Sequence, residues 1–142
     1  MKMRLKIIET VAKTYGDETT TPLSKRIAVD YLDALFRNDI QAIMSNYTNE
    51  SIVITLKKTY KGLNEIKAFI YELIQFFSGK NTVLILDKIA IESEIVYLVW
   101  HAILTKSTIS IASDTFFIED EKISKHTFVC QLDYSANTLN LS

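Results

Sequence analysis

Apolar positions recur at two different spacings along this chain, and the switch between them divides it. Before residue 82 the spacing is helical. Leu23, Ile27, Tyr31, Ala34 and Leu35 fall on one helix face. Thr21-Pro22 ahead of them predicts a helix start, with a capping hydroxyl and a proline at the first helical position. Asn38 suits a left-handed closing residue, and Asp39 suits a cap for a second short helix that carries Ile40, Ile43, Met44 and Tyr47. A β-branched run over 51–56 predicts a strand, and 57–62 a basic loop closed by Gly62. The clearest helix spans 63–77, with Ile66, Phe69, Ile70, Leu73, Ile74 and Phe77 on one face.

From residue 82 onward the alternation is that of long strands. Polar turns separate segments over 82–92, 94–105, 108–119 and 122–134. Helices first and then an antiparallel meander is an α+β order of layers. The chain divides into an extension over 1–21 (a short helix or a mobile arm), a single domain over 22–134 and a tail over 135–142.

Strand register decides which side chains share a face, because a slip of one residue inverts every position. With Lys106-Ser107 as a two-residue turn, Val99 faces Asp114 and His101 faces Ala112. Tyr97, Val99 and His101 then share one side with Asp114 and Phe116. A loop of odd length would put Leu98, Trp100 and Ala102 there instead. The last strand carries His126, Phe128 and Cys130 on one face, and Thr127 and Val129 on the other. Both faces of these strands are rich in apolar residues, so association of two copies through the sheet is expected.

Composition narrows the function. The 142 residues carry 16 basic and 17 acidic side chains, a net charge of −1, which gives no footprint for nucleic acid or an acidic membrane. No apolar run is long enough to span a bilayer, and the start lacks a secretory signal pattern, so a cytoplasmic protein is expected. A single cysteine, Cys130, excludes an intrachain disulfide and sits in an apolar stretch that suits a pocket wall. Three glycines, at 16, 62 and 79, leave no phosphate-binding loop. The two histidines, His101 and His126, have no local metal-ligand spacing, and no metal is expected. Lys57, Lys58 and Lys61 form a small basic cluster.

Several segments resemble the nuclear transport factor 2-like superfamily, in its SnoaL-like and ketosteroid isomerase-like branch. They are Tyr31-Leu32-Asp33-Ala34-Leu35 with Asn38-Asp39-Ile40, Tyr47-Thr48-Asn49-Glu50-Ser51-Ile52-Val53, Tyr60-Lys61-Gly62, and Asp114-Thr115-Phe116 with Glu121-Lys122-Ile123. The resemblance covers about residues 23–132. It implies a cystatin-like α+β barrel, a cone in which a strongly bent antiparallel sheet wraps on about three N-terminal helices, with a pocket at the open end.

The resemblance also implies roles. Tyr31 falls at the oxyanion-hole tyrosine of the ketosteroid isomerases, and Asp114 at the protonated aspartate beside it. The general-base position falls at Thr55. A threonine cannot take a carbon-bound proton near neutral pH, so His101 or His126 would have to serve. Thr55, Tyr97, Val99, Phe116, Phe128 and Cys130 are the expected ligand-binding residues.

Two functions follow. One is a cofactor-independent isomerase, cyclase or dehydratase that moves a proton on a small apolar carbonyl compound. The other is a non-catalytic ligand-binding or dimerisation module of the same fold.

Overall fold

The computed structural model describes residues 4–5, 22–79 and 81–134. Expectations for the 1–21 extension, apart from Arg4–Leu5, and for the 135–142 tail lie outside the described residues. Strand β1 is Arg4–Leu5. Helix α1 is Leu23–Phe36 and helix α2 is Ile40–Met44. Strands β2 (Ile52–Ile54) and β3 (Thr59–Lys61) form a hairpin. Helix α3 is Gly62–Ile74, extended by a 3-10 turn over Gln75–Phe77. Strands β4 (Val83–Glu92), β5 (Ile95–Ile103), β6 (Ser107–Glu119) and β7 (Lys122–Tyr134) form the meander.

The helix boundaries follow from local chemistry. Pro22 stands at the N-cap of α1 and accepts from the Arg26 amide. Asn38 takes the left-handed conformation that ends the turn (φ 59°), and Asp39 caps α2 through its side chain on the Ala42 amide. Gly62 begins α3 at φ 82°, where a side chain would be strained. The 57–62 segment, expected as a loop, contains β3 because Ile52, Val53 and Ile54 pair with Lys61, Tyr60 and Thr59.

All seven strands form one mixed sheet in the order β1-β4-β5-β6-β7-β2-β3. The meander is antiparallel, while β1 joins β4 and β2 joins β7 in parallel. The sheet is strongly curved and does not close. Its curvature has a visible cause. Asp87 on β4, Ser110 on β6 and Ser124 on β7 are each one residue too many for the neighbouring strand. Such bulges bend a strand and increase its twist. The concave face carries Leu84, Leu86, Leu98, Trp100, Ala112, Phe116 and Ile123, all buried against the apolar faces of α1 and α3.

The β5–β6 register differs from expectation, and one residue accounts for it. The turn is Thr105-Lys106, closed by the Leu104 amide on the Ser107 carbonyl. That shift alone would leave the odd-numbered residues of β5 on the side of Asp114. The bulge at Ser110 inverts the pairing, so Leu98 faces Asp114 and Trp100 faces Ala112. Tyr97, Val99 and His101 consequently lie on the convex face.

Candidate functional site

Asp114 stands at the centre of the concave face. Across β5 and β7 its direct neighbours are Leu98 and Phe128. The residues one step along each strand on the same face, Trp100 and His126, reach it diagonally, as long side chains in a sheet can. Trp100 Nε1–H donates to Asp114 Oδ2 at 2.8 Å. His126 Nε2 meets Asp114 Oδ1 at 2.6 Å. His126 Nδ1 meets the Tyr47 hydroxyl at 2.9 Å. Four side chains from four segments thus form one polar chain, Tyr47–His126–Asp114–Trp100. Asp114, His126 and Trp100 are wholly buried and Tyr47 nearly so.

The local sequence holds Tyr47 over His126. The Ile123 amide donates to the Asn46 carbonyl at 2.7 Å, and Ser51 Oγ donates to the Ile123 carbonyl at 2.6 Å. These bonds bind the segment after α2 to the start of β7. Val53 on β2 and Phe116 on β6 flank His126 within the sheet.

An ionised carboxylate buried alone would be very costly, and here both oxygens are engaged. The hydrogen bonds fit two states of the imidazole. With a neutral imidazole, Tyr47 donates to Nδ1 and Nε2–H donates to Asp114. With an imidazolium, both ring nitrogens donate and the Tyr47 oxygen accepts. The same heavy-atom positions suit both states.

Aromatic rings pack round this chain. Phe116 stacks on His126 at 4.4 Å between centroids, and the rings of Tyr31 and Phe69 stand edge-on to it at 5.4 and 6.3 Å. Among the described residues, the Tyr31 hydroxyl is the buried side-chain polar atom with no hydrogen-bond partner. Burial, then the negative charge of Asp114, push the Tyr31 and Tyr47 phenols well above their ordinary range. Both phenols therefore stay protonated.

A cleft of about 210 Å³ opens between α3, the β2–β3 turn and β7. Tyr60, Phe69, Leu73, Phe128 and Cys130 line its inner part, and Thr55, Leu56, Lys57, Glu72 and Phe76 stand at its mouth or rim. No atom of the polar chain lines it. Two rings lie between: Phe69, edge-on to His126, and Phe128, stacked on Trp100 at 6.5 Å. Phe69 and Phe128 therefore border both the cleft and the buried chain.

The structure sorts the expected site residues. Tyr31, Asp114, His126 and Phe116 come together in the interior. Thr55, Phe128 and Cys130 come together at the cleft. His101 is displaced from both: on the convex face it meets Asp87, the bulge residue of β4, at 2.6 Å with both side chains part-exposed. Tyr97 and Val99 share that convex face, again because of the Ser110 bulge. Both oxygens of Asp114 have partners within the protein, His126 at Oδ1 and Trp100 at Oδ2. Thr55 uses its hydroxyl within its own turn, accepting from the Lys57 and Lys58 amides.

Tyr47 and Trp100 were not among the expected site residues. The signal for Trp100 was available, because a buried indole N–H needs an acceptor. Tyr47, expected on the short helix, lies just past its end at Met44 and carried no such signal. Among the described residues, no group of three or more His, Cys, Asp or Glu is placed to hold a metal ion. No described helix is long and apolar enough to cross a membrane.

No protein-family model matches this chain, and no curated protein matches it. Solved structures do. A candidate SnoaL-like polyketide cyclase from Shewanella putrefaciens is 16% identical with a TM-score of 0.65, over 93% of this chain and 94% of that one. An NTF2-like protein of unknown function from Cytophaga hutchinsonii is 13% identical with a TM-score of 0.60, over 87% and 99%. The fold is nuclear transport factor 2-like. SalBIII, an epoxide hydrolase/cyclase-like enzyme with a role in forming the pyran ring of salinomycin, has the same nuclear transport factor 2-like fold. It is 14% identical with a TM-score of 0.66, over 79% and 95%. Identities this low establish the fold and leave activity to the site.

Proposed function

We propose that this nuclear transport factor 2-like chain is a small-molecule pocket protein that binds a largely apolar compound in the cleft between α3 and β7. One observation carries the reading: Phe69 and Phe128 are at once the inner wall of an apolar cleft and the cover of a buried Asp–His pair. Concave apolar sites beside buried titratable groups are where ligands bind most often. Two copies joined through the convex sheet face complete this reading. Ile103, Ile111 and Val129 are exposed there.

A second reading, cofactor-independent proton transfer on a carbonyl compound, is favoured by the Tyr47–His126–Asp114 chain. A histidine whose hydrogen bonds fit both imidazole and imidazolium is suited to general acid–base work. The Tyr31 phenol, neutral and unpartnered, would polarise a carbonyl that reached it.

The bicyclic ketone tetralone tests both readings. Calorimetry should show saturable binding at one molecule per chain, lost when Cys130→Phe fills the cleft. Absence of binding to the wild type would overturn the pocket reading. Exchange of the hydrogens beside the ketone for deuterium, faster with the wild type than with His126→Gln, would establish proton transfer. Binding without such exchange would leave a non-catalytic pocket.

A further inference from the structure

Two large apolar side chains stand exposed at the mouth of the cleft, on different walls. Leu56, in the β2–β3 turn, is 87% exposed, more than any other large apolar residue described. Phe76, in the 3-10 turn that follows α3, is 39% exposed. Singly, such residues are ordinary on a protein surface. Two of them bordering the same apolar opening extend its apolar surface outward into water.

The turn that carries Leu56 does not depend on its side chain. Thr55 closes that turn: its hydroxyl accepts from the Lys57 and Lys58 amides, and its amide and hydroxyl both donate to the Lys58 carbonyl, at 3.0 and 3.1 Å. A leucine so exposed adds little to the core. Its apolar surface is free to be covered by whatever fills the cleft.

The lining also sets the charge of the occupant. Lys57 and Glu72 are the charged residues among those that line the cleft, and they meet each other at 3.5 Å. Each is the other's counter-ion, so the mouth offers no net charge to a ligand. The inner lining is ring-rich, with Tyr60 and Phe69 5.2 Å apart and Phe128 5.8 Å from Phe69. Such a wall suits an aromatic body.

We propose that the ligand is a neutral, elongated compound, a ring body with an alkyl arm, bound with the ring against Phe69 and Phe128 and the arm between Leu56 and Phe76. This rests on the pocket reading above and adds the shape, charge and orientation of the occupant. Leu56 and Phe76 are then the residues that set specificity for the arm.

The methyl, propyl and pentyl ethers of naphthalenemethanol share one ring body and differ only in the arm. Each is titrated by calorimetry into the wild type, Leu56→Ser and Phe76→Ser, with urea denaturation to show that both variants fold. Full burial of a methylene is worth about fourfold in affinity, and an arm half-covered at the mouth should gain about twofold per methylene. The pentyl ether should therefore bind the wild type about sixteenfold more tightly than the methyl ether, and that ratio should fall to about fourfold in either variant. A propyl arm ending in a carboxylate or an ammonium should bind more weakly than the pentyl ether. Equal affinities for the methyl and pentyl ethers, or a ratio unchanged in both variants, would overturn the inference while leaving the pocket intact. Tighter binding of either charged arm would overturn it in favour of an ionic ligand. Failure of every ether to bind would remove the pocket reading and the inference together.

Discussion

Asp114 and His126 meet at 2.6 Å across neighbouring strands with neither side chain touching solvent. Removing one member leaves the other buried without its partner, so each single variant is expected to lose about 3–5 kcal/mol. Removing both relieves that penalty. In a cycle of Asp114→Leu, His126→Phe and the double variant, the double should cost less than the summed singles by about 1–3 kcal/mol. Urea denaturation measures all three. Strict additivity would mean that the two groups do not depend on one another.

Alkaline pH should expose the buried phenols. Tyr31 and Tyr47 have pKa values raised in the fold above an ordinary value near 10. Their neutral forms are equally present in the folded and unfolded chain below that pH. Above it the unfolded chain ionises and the folded one resists, so stability falls as pH rises. Each phenol contributes a slope of about 1.4 kcal/mol per pH unit. Denaturation midpoints above pH 10 should decline less steeply in Tyr31→Phe and Tyr47→Phe than in the wild type.

The two tyrosines should part company near neutral pH. The Tyr47 hydroxyl bonds His126, and its loss in Tyr47→Phe should cost about 1–2 kcal/mol. The Tyr31 hydroxyl has no partner, so Tyr31→Phe should be neutral or stabilising by about 1 kcal/mol. Thermal and urea unfolding of the two variants checks the contrast. Equal destabilisation would show that Tyr31 is bonded in solution.

Much of this architecture was legible in the sequence. The apolar face of 63–77 gave α3 and its 3-10 extension, and Asn38-Asp39 gave the break between α1 and α2 with the correct residue as cap. The β7 limits were as expected. What escaped was non-local. Nothing in the residues of β2 announces a parallel pairing with β7, because a short β-branched run suits either orientation. The Ser110 bulge was equally silent. It occupies one residue in a regular-looking alternation, yet it moved Trp100 inward and His101 outward. A bulge is fixed by how the strand bends over the helices, and that depends on packing far along the chain. Among the candidate chemistry, Asp114 and His126 share a face because the Ser124 bulge shifts the pairing that the turn at Asp120 and Glu121 sets, so that Phe128 rather than Thr127 stands opposite Asp114. Tyr47 joined them only through tertiary contact.

The central claim is that the cleft and the buried polar chain communicate through Phe128 and Phe69. Trp100 is the only tryptophan of the chain, so its indole N–H gives a single side-chain signal in a proton–nitrogen correlation spectrum, and that N–H is bonded to Asp114. Naphthalenemethanol titrated into the wild type should move this signal progressively to a plateau at one molecule per chain, and should leave it in place in Cys130→Phe. A Trp100 signal that stays fixed while the amides of Lys57 and Phe76 shift would contradict the account, because occupancy of the cleft would then stop at the aromatic wall.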